Sequence, residues 1–461
     1  MNKDRGFYFT TNQGNCYFYN DITGRVELQN QDYDSVFVYG ENNNGEAEKI
    51  SKYEISEYFR QNGHNQMILV VTEKCNIRCK YCVYSGNYDN QREHGHKEMS
   101  FEIAKKAIDI FYKNQVRAIQ NNSLHLPLLG FYGGEPLLNF QLIKDSVAYA
   151  KEVFNGNIKF LMTTNGTILT DEIADFLIQN NFALSISLNG SETENDRLRV
   201  FENGLGTFQI IKKSINLLQS KDMEYFKKNV SFIGCYDWKS DLDGINEFCK
   251  HNQENIPELS RLSLVNDYFS EWYSQFSIEE KDRFITNKTK IGNDVLYKLS
   301  NGEKLEPIER LLYSGVFMEV LNRSINTSLS SFRPPFMRFT GSCIPGTKLC
   351  VHPNGEFHCC EKINATRKIG DVYNGIDIDL IAEMLKDYMD VMAPTCSRCP
   401  VQRLCPICFT ACLDGNGNFT RSQIGDCKNV LKSMQDKFTY VYNALESGVS
   451  KDELLNLNHI R

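Results

Sequence analysis

From residue 66 onward, short apolar runs alternate with longer amphipathic stretches. Apolar residues three and four positions apart predict helices, among them 101–113, 141–154, 170–178 and 208–218. Six apolar runs between such stretches predict strands at 67–71, 128–132, 158–162, 183–188, 230–235 and 262–265. Strands that alternate with helices predict an α/β fold, a parallel sheet of βα units that curls into a partial barrel. In such folds the chemistry collects at the carboxyl ends of the strands.

The first 66 residues follow a different pattern. Three short β-rich segments, at 6–10, 15–19 and 25–29, are separated by turn signals, and 51–60 has helical spacing. The pattern predicts a small N-terminal α+β domain over residues 1–66. Two interpretations stay open at this point: a cap that covers a larger domain, or an element that recognises a substrate.

Composition and charge narrow the class of protein. The N-terminal residues lack the charged-then-apolar pattern of a secretion signal, and no apolar run approaches the roughly 18 residues of a membrane span. We therefore expect a cytoplasmic protein without a membrane partner. The net charge of -7 argues against nucleic acid as a partner, because no global positive field attracts phosphates.

Cysteine is the residue type that departs most from an ordinary globular composition. The chain has 16 cysteines, of which three lie near residue 80 and ten lie between Cys343 and Cys427. Disulfides are typical of exported proteins, and no export signal is predicted here. The clustering therefore favours metal or iron–sulfur binding.

The first cysteine group follows the first predicted strand directly. Cys75, Cys79 and Cys82 have the spacing C-x3-C-x2-C. Three thiolates on one short loop can hold three irons of a four-iron cluster and leave the fourth iron open for a chelating substrate. A structural zinc site is the alternative, but it needs four ligands, and His94 and His96 are not spaced to complete it.

This loop, with the aromatic Tyr81 before its third cysteine, resembles the signature of the radical S-adenosylmethionine (SAM) superfamily. The resemblance implies a partial (β/α)6 TIM-like barrel over residues 67–335, together with a helical bridge. It also implies that Cys75, Cys79 and Cys82 hold a cluster whose open iron binds SAM. Reductive cleavage of SAM would release a 5′-deoxyadenosyl radical, and Tyr81 would pack near the adenine.

Further motifs resemble those of the superfamily and follow successive strands. Gly133, Gly134, Glu135 and Pro136 resemble the GGEP motif, and Asn165 lies in a loop similar to TNG. We expect the glycines to let the backbone approach the ligand and Glu135 to accept the amine of SAM.

Peptide-modifying members carry S-x-D-G and H-D-x-x-R motifs after the fourth strand. Ser187 and Arg199 match them and would contact polar groups of SAM, and Val265, at the end of the sixth strand, is counted with the SAM-binding residues. Asn189 stands in place of the usual Asp and Asn195 in place of the usual His. No role is carried over to these two side chains.

The later cysteines resemble the SPASM extension of radical SAM enzymes, C-x(9–15)-G-x4-C, then C-x2-C-x5-C-x3-C, then C. Gly355 has the expected place between the first two cysteines, whereas Cys408 lies one residue early and Cys412 three residues late for the pattern. The resemblance implies a SPASM domain over 336–461 with two auxiliary four-iron clusters, so three clusters in all; taken alone, the paired C-x2-C motifs would suggest a zinc ribbon. The implied ligands are Cys396, Cys399, Cys405 and Cys427 for the outer cluster and Cys343, Cys360 and Cys408 for the inner one, with Cys350 and Cys412 as the options for a fourth inner ligand.

SPASM enzymes mostly modify peptides and proteins, so the leading hypothesis is a maturase of a ribosomally made peptide. The resemblance to sactipeptide and ranthipeptide maturases implies Cys thioether crosslinks, with carbon–carbon crosslinking and formylglycine formation in sulfatases as alternatives. The implied partners are a precursor peptide, whose leader residues 1–66 would bind, and a reductant such as flavodoxin or ferredoxin. A non-catalytic iron–sulfur electron carrier would explain the cysteines but not the motifs at successive strand ends.

Overall fold

The computed structural model describes residues 5–30, 36–40, 51–88, 91–122, 125–253, 256–257, 260–266, 270–323, 345–362, 366–421 and 427–458. Within these ranges the chain forms two compact units. The α/β unit contains residues 52–281 and 345–381, and the cysteine-rich unit contains residues 1–51, 282–344 and 382–459. The predicted boundaries at residues 66 and 335 stay predictions, because compactness does not show which segments fold alone.

Strands and helices alternate through most of the described chain. The strands are β1 Gly6–Thr10, β2 Cys16–Asn20, β3 Val26–Leu28, β4 Phe37–Val38, β5 Gln66–Thr72, β6 Leu128–Gly133, β7 Lys159–Thr164, β8 Ala183–Ser187, β9 Val230–Tyr236, β10 Arg261–Leu264, β11 Lys348–Val351, β12 Glu356–His358, β13 Gly370–Asp371 and β14 Gly375–Ile376. The helices are α1 Lys52–Asn62, α2 Phe101–Asn121, α3 Phe140–Val153, α4 Asp171–Gln179, α5 Glu192–Leu198, α6 Phe208–Lys221, α7 Met223–Asn229, α8 Leu242–His251, α9 Ile278–Ser300, α10 Pro307–Leu321, α11 Ile378–Cys396, α12 Lys428–Glu446 and α13 Lys451–Leu455.

A large, mostly parallel sheet forms the centre of the α/β unit, which confirms the predicted α/β class. The partial barrel, the N-terminal domain and the SPASM domain stay predictions. The strand order of the sheet is β10-β9-β8-β7-β6-β5-β11-β12-β13-β14. The six predicted strands, β5 to β10, run parallel to their neighbours. β11 continues the sheet parallel to β5, and β12 to β14 follow in antiparallel pairs. The sequence pattern does not predict β11 to β14, because two to four residues are too few to show a periodicity.

Burial on both faces of the sheet explains the continuous apolar runs. In β5, Met67 and Leu69 are fully buried on one face, and Ile68 and Val70 are almost fully buried on the other. Ser100 begins α2 by accepting a hydrogen bond from the backbone of Ile103. Since parallel neighbours end at the same edge, the loops after β5 to β9 leave the sheet together.

The cysteine-rich unit has its own core. β1 to β4 form an antiparallel sheet in the order β3-β2-β1-β4. Phe7 and Phe9 of β1 are fully buried and pack edge-on against Phe438 of α12. Asp21, also fully buried, accepts hydrogen bonds from the Arg5 side chain and the Arg403 backbone. The first strands and the last long helix therefore belong to one packed unit.

No helix in the described part of the chain combines the length and apolarity that crossing a membrane requires.

Candidate active site

The cysteine loop leaves the carboxyl end of β5 and is held by backbone hydrogen bonds. The N–H of Arg78 donates to Val200 at 2.7 Å, and the N–H of Lys80 donates to Leu198 at 2.9 Å. The Arg78 side chain donates to the carbonyl of Cys75 at 2.8 Å. These bonds fix the loop beside the segment that carries Arg199.

The three thiols of this loop lie near one another in a desolvated place. Burial raises the pKa of Cys75 to about 11 and that of Cys82 to about 12, and it also raises the pKa of Cys79. Iron binding requires thiolates, so it must release protons from these groups. Among the described residues, no three metal-binding side chains are arranged around a single metal ion. A cluster does not require that arrangement, because each of its cysteine ligands binds a separate iron.

Two glycines let the turn after β6 cross the start of the cysteine loop. A Cβ on Gly133 would lie 2.1 Å from the carbonyl oxygen of Thr72, and a Cβ on Gly134 would lie 2.2 Å from that of Lys74. The backbone N–H of Gly134 donates to Thr72 at 3.0 Å. Glycine is therefore required here because the turn lies against the backbone of the cysteine loop. That the same glycines also let the backbone approach a ligand stays a prediction.

Glu135 connects its own turn to the end of β7 and the loop after it through one buried carboxylate. Its Oε1 accepts hydrogen bonds from the Thr164 hydroxyl at 2.7 Å and from the backbone N–H of Leu137 at 3.2 Å. Its Oε2 accepts from the backbone N–H of Asn165 at 2.7 Å. The side chain is 1% exposed, and burial raises its pKa while these hydrogen bonds oppose the shift. Pro136 follows at the first position of a short 3-10 helix, Pro136–Asn139.

Asn165 links the loop after β7 to the cysteine loop. Its Nδ2 donates to Asn76 Oδ1 at 2.9 Å and lies 3.9 Å from Cys75 Sγ. Asn76 in turn donates to the Thr167 hydroxyl at 2.8 Å. The GGEP-like, TNG-like and cysteine motifs are therefore brought together, although Asn76 and Thr164 were not singled out from the sequence.

Tyr81 and Arg199 meet on the other side of the cysteine loop. Arg199 Nη1 donates to the Tyr81 hydroxyl at 3.0 Å, and that hydroxyl donates to Asn189 Oδ1 at 3.2 Å. Asn189 also accepts from the backbone N–H of Cys235 at 3.0 Å. Burial raises the pKa of Tyr81, while attraction from Arg199 opposes the shift.

Two donors in this network have no partner in the described part of the chain: Asn189 Nδ2 and Arg199 Nε, in side chains 0% and 4% exposed. Buried donors without partners are costly, so these atoms fit an acceptor such as a ligand carboxylate. Asn195, the second departure from the family pattern, donates to the Asp196 and Thr207 side chains. Asn189 and Asn195, the two residues that differ from the family pattern, are therefore both buried amides that hydrogen-bond to neighbouring segments.

Ser187 and Val265 lie at the carboxyl ends of β8 and β10, two strands that are separated by β9. Ser187 is the last residue of β8 and is partly buried. Val265 is buried with Leu198 and Trp272, and Tyr81 and Cys235 pack against this group. No sequence signal places Cys235 beside these residues.

Open space borders the cysteine loop. A cavity of about 830 Å³ is lined by Cys79, Lys80, Tyr84, Trp272 and other residues. This volume lies within the range of roughly 300–1,000 Å³ typical of ligand sites. The loop therefore has room beside it for a cofactor or substrate.

The later cysteines fall into both units. Cys350, Cys359 and Cys360 belong to the α/β unit, where Cys350 lies in β11 and Cys360 donates to Glu361 at 3.2 Å. Burial raises the pKa of Cys360 to about 12. Cys343 lies outside the described residues. The cysteine-rich unit holds Cys396, Cys399, Cys405, Cys408, Cys412 and Cys427.

Tyr388 lies near several cysteines of this second group. The Tyr388 side chain is buried, and burial is the largest cause that raises its pKa. The pKa is raised further by four neighbouring cysteines: Cys412, Cys396, Cys405 and Cys408. Burial raises the pKa of Cys399 and of Cys412 to about 12. Cys412, an optional ligand by spacing, thus lies with the others, and its thiol is 3.9 Å from the carbonyl of Cys408.

Comparison with known proteins agrees with this geometry. Residues 69–237 match the radical SAM superfamily. An uncharacterised protein of Methanocaldococcus jannaschii is 34% identical over 194 residues, 39% of this chain and 61% of that protein. A cysteine-type anaerobic sulfatase-maturating enzyme of Clostridium novyi is 26% identical over 242 residues, 46% of this chain and 60% of that enzyme. The chain thus matches less than two thirds of the length of these relatives.

A solved structure shares the fold over most of the chain. Native anSMEcpe with bound AdoMet (SAM) and Cp18Cys peptide superposes with a TM-score of 0.57 at 16% identity, covering 85% of this chain and 98% of that one. The chain therefore carries a radical SAM domain, homologous to that of anaerobic sulfatase-maturating enzymes. The domain implies SAM and a four-iron cluster as cofactors.

Proposed function

We propose that this protein is a radical SAM maturase that modifies a ribosomally made precursor peptide and forms Cys thioether crosslinks. The observation that carries the radical SAM part is the convergence of Cys75, Glu135 and Asn165 at one edge of the sheet. The peptide part is supported by the bound peptide of a protein with the same fold. Thioether formation rests on the resemblance of the cysteine pattern.

The residues present fit the cofactors. Cys75, Cys79 and Cys82 would hold the cluster. Glu135 would accept the amine of SAM, and the unpartnered donors of Asn189 and Arg199 would face its carboxylate. When bound and reduced, cluster and SAM supply a 5′-deoxyadenosyl radical that removes a hydrogen atom from the substrate. Tyr81, held by Arg199 and Asn189, would shape the adenine pocket together with Ser187 and Val265.

Thiolates in the later cysteine groups would hold auxiliary clusters that accept the electron left after the sulfur–carbon bond forms. A flavodoxin or ferredoxin would supply the electron that starts the reaction. The leader of the precursor would bind the β1–β4 sheet.

A second candidate is maturation of a sulfatase by conversion of Cys or Ser to formylglycine. The similarity to a Clostridium novyi sulfatase-maturating enzyme favours it. Mass spectrometry of the alkylated product separates the candidates. A thioether crosslink loses two hydrogen atoms and consumes a thiol, whereas formylglycine made from Cys loses sulfur. Formylglycine made from Ser loses two hydrogen atoms but leaves the thiols open to alkylation and creates an aldehyde that a hydrazide reagent detects. Carbon–carbon crosslinking loses the same hydrogens but leaves the thiol open to alkylation.

The central claim is tested by replacing Cys75, Cys79 and Cys82 with Ala. After anaerobic incubation with SAM and dithionite, we expect 5′-deoxyadenosine from the unaltered protein and none from the triple variant. Cys249→Ala, which removes a buried thiol of α8, is the matched control and should keep the activity. Continued SAM cleavage by the triple variant would contradict the proposal, and no cleavage by the unaltered protein would favour an electron carrier.

A further inference from the structure

One cation lies among the cysteines of the cysteine-rich unit. Arg421 Nη1 is 3.6 Å from Cys396 Sγ, and Arg421 Nη2 is 3.5 Å from Cys427 Sγ. Cys396 is the last residue of α11, and Cys427 directly precedes α12. A single planar guanidinium, which only donates, therefore bridges two cysteines that are distant in the sequence.

Charge explains why an arginine would lie there. The guanidinium of an arginine stays positively charged in proteins, and that of Arg421 lies within 3.6 Å of both sulfurs. A fixed positive charge at this distance stabilises a thiolate, which is the form of cysteine that binds iron.

The neighbouring donors suit an iron–sulfur cluster. The backbone N–H of Cys399 donates to the carbonyl of Cys396 at 3.2 Å, so these two cysteines lie on one turn. Cys405 follows six residues later. Together with Cys427 these are the four cysteines expected to hold the outer auxiliary cluster. The inference below rests on that part of the proposed function.

We propose that Arg421 is a positioning residue that donates hydrogen bonds to the thiolates of Cys396 and Cys427 and raises the reduction potential of the cluster they help to hold. Reduction adds one electron, and hence one negative charge, so a fixed cation stabilises the reduced form more than the oxidised form. Hydrogen bonds to cluster sulfurs are among the features that set these potentials. Arg421 would therefore make this cluster a better acceptor for the electron released during crosslinking.

Arg398 provides a matched control in the same unit. It lies between Cys396 and Cys399 in the sequence, yet its Nε donates to the carbonyl of Gly40 at 3.1 Å. Arg398→Gln therefore removes the same charge near the cysteines without removing a bond to sulfur.

The test measures the midpoint potential of the reconstituted full-length protein by redox titration with dithionite, followed by electron paramagnetic resonance. The signal of the outer cluster is identified by its loss in Cys396→Ser. We expect Arg421→Gln to shift the equilibrium toward the oxidised cluster about tenfold, a fall of about 59 mV for one electron. The midpoint potential of Arg421→Lys should lie between those of the unaltered protein and Arg421→Gln, because lysine keeps the charge but not the two-pronged geometry. Arg398→Gln should shift the midpoint potential less than Arg421→Lys does.

The outcomes separate the two ideas. If the unaltered protein lacks the Cys396-dependent signal, the auxiliary cluster and the role of Arg421 are both wrong. If the signal is present and neither Arg421 variant changes its potential, or Arg398→Gln changes it equally, only the role of Arg421 is wrong. If Arg421→Gln fails to assemble the cluster, the potential of Arg421→Lys decides.

Discussion

At the scale of single residues, the site depends on buried polar groups with several partners. Glu135 shows this best, because its carboxylate accepts from Thr164, Leu137 and Asn165. An ionised carboxylate offers about four lone-pair positions, so room remains for one further donor, such as the amine of SAM. The same group thus supports the loops and would bind the ligand.

Glu135→Ala should therefore weaken SAM binding and the fold together. Loss of a charge-assisted contact of roughly 1.5–3 kcal/mol predicts about tenfold weaker binding or more. The three donors left without a partner should each cost about 1–3 kcal/mol where they stay buried. Calorimetric SAM affinity and thermal unfolding measure the two effects.

Glu102→Ala is the control for this prediction. Glu102 lies in the first turn of α2 and pairs with Lys106 on an exposed surface. Solvent screens such exposed pairs and they contribute little to stability, so both measurements should stay near those of the unaltered protein. An unchanged SAM affinity in Glu135→Ala would show that the GGEP assignment is wrong.

At the scale of elements, backbone crossings decide where loops can lie. The turn after β6 passes so close to residues 73–74 that a Cβ on Gly134 would overlap the Lys74 carbonyl. The backbone N–H of Glu135 donates to that same carbonyl at 2.8 Å. The position of the cysteine loop is therefore tied to this turn.

Gly134→Ala should displace the cysteine loop and reduce the iron held by Cys75, Cys79 and Cys82. Anaerobic reconstitution followed by an iron assay should show a loss of about four irons or fewer, the content of one cluster. Gly315→Ala in α10, where nothing lies within 4 Å of the added Cβ, should keep the full count. Full iron content and normal SAM cleavage in Gly134→Ala would contradict this role of the turn.

The β1–β4 sheet has an edge at β3 that suits the leader-binding hypothesis. The N–H of Gln29 donates to Cys16, and the carbonyl of Arg25 accepts from Asn20, so both face β2. Because backbone groups alternate along a strand, Val26 and Leu28 direct theirs away from β2. Within the described ranges, no strand pairs with that side of β3. An extended peptide could add there as a further strand.

Leu28→Pro should weaken binding of the precursor while leaving uncoupled SAM cleavage intact. Proline removes the outward N–H at an exposed position and spares the ladder to β2. One backbone hydrogen bond contributes about 0.5–1.5 kcal/mol, so binding should fall roughly two- to tenfold. The precursor would be a peptide encoded beside this gene. Leu28→Ala keeps the N–H, and equal affinity of the two variants would argue against strand addition at β3.

At the scale of the whole molecule, the cysteines define separate groups. Cys75, Cys79 and Cys82 lie with SAM-associated motifs in the α/β unit, and the six cysteines from Cys396 to Cys427 lie in the cysteine-rich unit. Each group of cysteines has its own supporting contacts, so replacing cysteines of one group should leave the iron bound by the other group.

The reconstituted protein should hold about twelve irons, as three clusters of four. Replacing Cys396 and Cys399 with Ala should remove about four irons and leave deoxyadenosine formation, because the SAM motifs lie in the α/β unit. Iron and zinc analysis measures the result. A total near four irons with bound zinc would instead favour a zinc ribbon for the later cysteines.

The sequence by itself determined the α/β class, the strands β5 to β10 and the order of the motifs behind them. These features are local, because a short apolar run is enough to predict a buried strand, and the motif that follows the run in the sequence also follows the strand in the structure. Convergence of Glu135, Asn165 and Cys75 also followed, because parallel strands end at one edge.

Only the tertiary structure decided which distant residues meet. It added β11 beside β5, placed Cys235 against Asn189, and brought Arg421 to Cys396. Each of these is a contact between segments far apart in the chain, which leaves no periodicity or spacing to recognise. The reason is physical: a strand of four residues or a single charged side chain gains its partner from packing, whereas a long apolar strand is marked by its own composition.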